Sequence, residues 1–95
     1  MIRVIETAEF TDWLENLRDV NAQLRIAARI SRAQDGNLGD VKFFDGIGEM
    51  RIDYGPGYRV YFVKRGQAII FLLSGGQKGS QRRDIRRALE LAKEV

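Results

Sequence analysis

Apolar and polar positions alternate on both sides of the Gly55–Gly57 turn, in the segments EMRIDY (49–54) and YRVYF (58–62). A period of two is typical of β-strands that bury one face. The glycine-rich turn between the two segments predicts a hairpin with a three-residue loop. One face of this hairpin is then wholly apolar, and the other carries charged side chains.

The predicted register pairs Arg51 with Tyr61 and Asp53 with Arg59 across the polar face. Two arginines and a tyrosine on one face favour a phosphate-binding surface. Asp53 either orients Arg59 for an incoming phosphate or forms a surface ion pair with it. Tyr61 either stacks on a base, as in single-stranded RNA recognition, or is a half-buried strand aromatic.

Helical spacing predicts three helices. Thr7 is a suitable N-cap for the first helix, whose apolar stripe begins at Phe10. The second runs from about 20 to 33, with an apolar arc opposite three arginines. The third starts near Ser80. The arc of the second helix contains Val20, Leu24, Ile26, Ala27, Ala28 and Ile30.

Three further segments have strand character. Residues 2–5 are predicted to form a short strand. A second strand is predicted at 41–44, with a break or bulge at 45–48 before it enters the hairpin. Residues 68–73 are apolar at every position, which predicts a central strand covered on both faces. Residues 74–80 are expected to form a flexible polar loop.

The resulting order is β-α-α-β-β-β-α. This is an α+β fold, with an N-terminal helical hairpin packed on a mainly antiparallel sheet. The 95 residues predict one domain, 1–95.

The composition limits which side chains are available for metal binding and catalysis. The chain has no cysteine and no histidine, so we expect no metal site and no cofactor, and catalysis would rely on Lys, Arg, Asp, Glu, Tyr or Ser. The N-terminus is too charged for a signal peptide, and the longest apolar run has six residues. The sequence therefore predicts a cytoplasmic protein without a membrane span.

Charge is unevenly distributed. Residues 1–19 contain two basic and five acidic side chains, whereas residues 51–87 contain nine basic and two acidic ones. Such a basic region indicates a polyanion or an acidic protein as partner, or simply a solvated surface.

Four arginines crowd the N-terminal half of the last helix, where the helix dipole disfavours cations. This placement suits an approaching anion, or the arginines form surface contacts with nearby glutamates. The preceding GGQKGS segment resembles a phosphate loop but lacks the GxxxxGK[ST] spacing. Its position lets Lys78 lean over the same face as Arg51 and Arg59. The four arginines are Arg82, Arg83, Arg86 and Arg87.

The chain resembles the RelE/ParE superfamily of bacterial toxin–antitoxin toxins, and most closely the HigB-like addiction-module killer proteins. The resemblance covers nearly the whole chain and is most specific in four segments. The fold it implies is the β-α-α-β-β-β-α, microbial-RNase-like arrangement of that family. The four segments are EMR (49–51), YGPGYRVYF (54–62), LLSGGQK (72–78) and the stretch 81–88.

The resemblance implies a toxin that cleaves messenger RNA on the ribosome by attack of the 2′-OH on the adjacent phosphate. Arg59 would hold the scissile phosphate, and Arg51 would face the same cleft. Lys78 would stabilise charge or donate a proton. Asp84 stands where many RelE-type enzymes have a tyrosine, and it is either a base or a helix cap. The RNA-binding positions would be Tyr61, Gln81, Arg82 and Arg83.

The same resemblance leaves two alternatives: a ParE-like toxin that inhibits DNA gyrase without nuclease activity, and a degenerate protein that only binds an antitoxin. It also implies a cognate antitoxin of the helix-turn-helix type, in a toxin–antitoxin hetero-oligomer. Messenger RNA and the ribosome are the other expected partners.

Overall fold

Five strands and three helices form the fold in the computed structural model, which describes residues 1–95. The strands are β1 (Arg3–Glu6), β2 (Val41–Phe44), β3 (Ile47–Ile52), β4 (Tyr58–Arg65) and β5 (Ile69–Gln77). The helices are α1 (Ala8–Glu15), α2 (Val20–Gln34) and α3 (Gln81–Ala92), with a 3-10 turn at Lys78–Ser80 before α3.

One mixed sheet contains all the strands, in the order β1-β5-β4-β3-β2. β1 runs parallel to β5, and every other neighbouring pair is antiparallel. The predicted α+β class and the mainly antiparallel sheet are confirmed. None of the three helices has the length and apolar character needed to cross a bilayer.

The sheet has one strand more than predicted, because Asp45 and Gly46 reverse the chain completely. Phe44 pairs with Ile47, so these two residues form the whole loop of a hairpin between β2 and β3. Both have positive φ angles, 52° and 85°. A two-residue loop of this kind requires positive φ at both positions, and Asp-Gly is a favoured pair there. The expected break or bulge within one strand was wrong.

The hairpin register differs from the prediction by two residues. Arg51 lies opposite Arg59 and Glu49 opposite Tyr61, and a five-residue loop, 53–57, connects β3 to β4. A shift of two keeps every side chain on its predicted face.

Tyr54 explains the longer loop. Its hydroxyl donates a hydrogen bond to Asp19 Oδ2 at 2.9 Å, and the Arg25 guanidinium lies 4.5 Å from its ring centroid. These contacts hold Tyr54 against the N-terminal part of α2. It therefore does not pair with Tyr58, as the shorter loop would require.

Two apolar clusters cover the two faces of the sheet. Buried residues of α1 and α2, including Phe10 and Ile26, pack with Val60 and Phe62 on one face. On the other face, Ala88 and Leu91 of α3 belong to a second cluster. β5 contributes to both clusters, as its uniform apolar character predicted. Thr7 caps α1 as expected, since its side chain accepts a hydrogen bond from Phe10 N.

The apolar arc predicted for α2 was partly wrong. Ile26 and Ile30 are buried, but Val20 and Leu24 are 64% and 63% exposed. Their places in the core are taken by Ala22 and Ala33.

Residues 74–77 continue β5 and do not form the predicted flexible loop. The two glycines here allow close approach on both faces. A Cβ at Gly75 would overlap the Trp13 ring, and a Cβ at Gly76 would overlap the Asp84 carboxylate. Tyr61 pairs with Ser74 and the next residue, Phe62, pairs with Leu72, so Leu73 is the extra residue of a bulge in β5.

Candidate phosphate-binding cleft

Three predicted residues, Arg51, Arg59 and Lys78, line one cleft of about 360 Å³, called the basic cleft below. Arg51 and Arg59 are direct cross-strand partners on β3 and β4. Lys78 follows β5, and its backbone N–H donates to Gly57 O at 2.8 Å, beside the β3–β4 loop. Three separate segments thus bring these cations to one side of the sheet.

Two carboxylates also line the basic cleft, from Asp40 and Asp53. Asp40 accepts hydrogen bonds from Arg51 Nη2 at 2.7 Å and Nε at 3.2 Å. The Arg51 and Asp40 side chains are 41% and 58% exposed. An exposed pair contributes about 0–1 kcal/mol, so a phosphate can compete with Asp40 for Arg51 at little cost.

Arg59 has a different kind of partner. Its Nη1 donates to Glu49 Oε1 at 2.9 Å, and the two side chains are only 13% and 1% exposed. Gln81 Nε2 donates to the other carboxylate oxygen of Glu49 at 2.8 Å. Glu49 therefore orients Arg59. Both alternatives predicted for Asp53, orienting Arg59 and forming a surface ion pair with it, were wrong.

Sequence reasoning gave Glu49 no role, although a signal was present. Glu49 precedes Arg51 by two residues on β3, so the alternation places both on the polar face. The structure then shows that most positions of this strand are buried, so a glutamate there needs a partner.

Tyr61 is fully buried in the second cluster, at 0% exposure. Burial raises the pKa of its hydroxyl above the ordinary value, and the charge of Glu49 raises it further. The hydroxyl stays protonated at neutral pH, and the buried ring has no face free for a base. The predicted base-stacking role is therefore incompatible with this conformation.

No hydrogen bond of normal geometry reaches the buried hydroxyls of Tyr61 and its cross-strand partner Ser74, although the Tyr61 hydroxyl lies close enough to Glu49 for that carboxylate to raise its pKa. We expect Tyr61→Phe to leave the free energy of unfolding unchanged or to raise it by up to about 1 kcal/mol, because an unsatisfied hydroxyl is removed. Urea unfolding measures this. A loss of more than about 1 kcal/mol would show that the hydroxyl is satisfied in solution.

Asp84 lies beside the basic cleft but not in its lining. It lines a neighbouring pocket of about 410 Å³ with Trp13 and Ser80, and it accepts a hydrogen bond from Ser80 Oγ. Its carboxylate approaches Gly76, the cross-strand partner of Arg59. Asp84 therefore packs on β5, and Arg59 lies on the neighbouring strand, β4.

The close approach at Gly76 gives a direct test of this placement. We expect Gly76→Ala to destabilise the fold by about 1–3 kcal/mol, since the new methyl group must displace Asp84. Gly79→Ala is the matched control, because a Cβ there meets no atom within 4 Å. Thermal unfolding of both variants measures the two effects on stability. Equal effects would contradict the packing of Asp84 on Gly76.

The remaining predicted RNA-binding residues divide into two groups. The side chain of Gln81 donates a hydrogen bond to Glu49, as described above. Arg82 and Arg83 are exposed, and with Arg86 they line a shallow pocket of about 330 Å³ at the start of α3. Arg87, by contrast, links α3 to α1 through Glu9, with Nη2 2.7 Å from Oε1. No group of three or more acidic side chains has an arrangement that could hold a metal ion.

The fold and cleft define a small α+β protein with cations from three segments on one side of its sheet. An uncharacterized protein of Haemophilus influenzae (strain Rd) is 45% identical to it over 95 residues, which is 99% of this chain and 96% of that protein. The chain belongs to the same family as that protein. No family model matches the chain. No solved structure matches it.

Proposed function

We propose that this protein is the toxin of a type II toxin–antitoxin module and acts as a metal-independent endoribonuclease on translated messages. The observation that carries the proposal is the convergence of Arg51, Arg59 and Lys78 on one cleft. Three cations at one position suit a phosphodiester, because charge that develops on phosphate during cleavage needs fixed positive partners.

The proposal includes membership of the RelE/ParE superfamily, in its HigB-like subgroup, and the microbial-RNase-like topology of that family. The segments EMR and YGPGYRVYF support this assignment, because they form β3, the loop and β4, which carry Arg51 and Arg59. The order of the elements also supports the assignment, because it differs from the family arrangement by one additional strand.

In the proposed reaction the 2′-OH attacks the adjacent phosphorus, and the bond to the 5′-oxygen breaks. Arg51 and Arg59 stabilise the negative charge of the transition state. Lys78 either adds to this stabilisation or donates a proton to the departing 5′-oxygen. Asp84, beside the cleft, is our candidate base for the 2′-OH proton. The exposed Arg82 and Arg83 are placed to contact flanking phosphates.

A cognate antitoxin is the proposed protein partner. The basic region formed by β3, β4 and α3 would be complementary to an acidic antitoxin segment. The exposed pair of Arg51 and Asp40 shows that one cation of the cleft already accepts a carboxylate partner.

The experiment that tests the proposal is induction of the chain in a bacterial host, followed by primer extension on translated messages. The proposal predicts growth arrest together with new 5′ ends inside coding regions. Arrest with intact transcripts would contradict the nuclease assignment. A supercoiling assay with purified gyrase on the same protein then identifies a ParE-like toxin, if supercoiling is inhibited.

A further inference from the structure

We infer that Glu49 is a positioning residue, which holds Arg59 of the basic cleft and joins it to the start of α3. The part of this inference that concerns catalysis rests on the proposed function. Its structural part, the restraint of Arg59, does not depend on what the protein acts on.

Both oxygens of the Glu49 carboxylate are used, and by different elements. Oε1 accepts from Arg59 Nη1 on β4, and Oε2 accepts from Gln81 Nε2 on α3. One carboxylate on β3 therefore connects three elements around the cleft. Since Asp84 lies one turn along α3 from Gln81, the same link fixes the helix that presents Asp84.

The surroundings of Glu49 argue against a role in fold stability alone. The Glu49 side chain is 1% exposed, and Ile47 and Tyr61 of the second cluster are its near neighbours on β3 and across to β4. Apolar residues that replace a buried ion pair often give equal or higher stability. A buried carboxylate at this point is better explained by the orientation that it imposes on Arg59.

The restraint on Arg59 is specific. Its Nη1 is held by Glu49, and its Nε is buried without a partner in the protein. Rotation of the guanidinium about the Nε–Cζ bond would break the contact with Glu49. Arg51, the other arginine of the cleft, donates two hydrogen bonds to Asp40, but both side chains of that pair are exposed to solvent.

The experiment compares Glu49→Gln with Asp40→Asn, each of which removes the charge from one arginine's partner without changing its shape. The first readout is the set of Arg59 and Arg51 side-chain NMR signals in the protein without RNA. The second is the split of RNA cleavage into kcat and KM. Gln81→Met, which removes only the link to α3, is the variant to use where Glu49→Gln does not fold.

In the wild-type protein we expect separate guanidinium signals for Arg59, because rotation about the Nε–Cζ bond is slow. In Glu49→Gln we expect averaged signals, because the rotation is fast. We expect kcat to fall at least tenfold in Glu49→Gln, with KM changed less than threefold. Asp40→Asn should leave the Arg59 signals unchanged. In Gln81→Met, Arg59 should stay restrained while kcat falls.

Averaged Arg59 signals in the wild-type protein would overturn the inference, and so would an unchanged kcat in both Glu49→Gln and Gln81→Met. The proposed function fails separately, if the wild-type protein cleaves no RNA. In that case the Arg59 signals in wild type and variant still decide whether Glu49 restrains the guanidinium.

Discussion

Replacing Arg59 by methionine is expected to lower the free energy of unfolding by about 3–5 kcal/mol, because Glu49 then remains as an unpaired buried carboxylate. The double variant Glu49→Leu/Arg59→Met should recover most of this loss, since no buried charge is left. Urea unfolding of the two single variants and the double variant measures the coupling between the residues.

The pair formed by Arg51 and Asp40 is the control for this cycle. Its shortest N–O distance, 2.7 Å, is comparable to the 2.9 Å of the buried pair, but it is exposed to solvent. We expect a coupling of about 0–1 kcal/mol. Similar coupling energies for the two pairs would show that Glu49 and Arg59 are hydrated in solution. The cycle also matters for function, because loss of toxicity in an Arg59 single variant can result from unfolding.

Lys78→Ala and Arg51→Ala are expected to reduce RNA cleavage by about 10²–10³-fold each, the usual effect of removing one donor that stabilises transition-state charge. Neither side chain is buried, and Arg51→Ala leaves only the exposed Asp40 unpaired. The fold should therefore be preserved. Single-turnover cleavage of a defined RNA, with circular dichroism on the same samples, measures both quantities.

Lys64→Ala is the matched control, because Lys64 is an exposed lysine in the part of β4 that pairs with the start of β5, away from the cleft. It removes the same charge and should change cleavage less than threefold. If the Lys64 and Lys78 variants lose equal activity, the effect comes from overall charge and not from the cleft.

The hairpin shows what a local pattern can predict. Alternation placed Arg51 and Arg59 on one face correctly, because a register shift of two residues does not change faces. The register itself depended on Tyr54, which is held by Asp19 from a distant part of the chain. By contrast, Asp45-Gly46 is a local signal for a two-residue hairpin loop, so this turn was predictable from the sequence, although a break or bulge was predicted.

Long-range packing accounts for the other differences. Gly75 and Gly76 resembled loop residues because glycine is uncommon in strands. They lie in β5, where Trp13 and Asp84 approach the backbone so closely that a Cβ would overlap them. Similarly, spacing alone could not show that Ala22 and Ala33, rather than Val20 and Leu24, face the sheet.

The site was predicted in part. The meeting of Arg51, Arg59 and Lys78 in one cleft agrees with the sequence argument, because all three lie on or just after strands of one hairpin-rich sheet. The role of Glu49 was missed because its two partners, Arg59 and Gln81, come from elements 10 and 32 residues away.

The central claim, that the basic cleft holds an RNA phosphate, is tested most directly by NMR titration with a short 2′-O-methyl RNA, which binds without being cleaved. We predict that the largest shifts occur at the side-chain signals of Arg51 and Arg59 and at the Lys78 amide, with those of Lys64 unchanged. Saturable shifts confined to Arg82, Arg83 and Arg86, or no saturable shift at all, would contradict it.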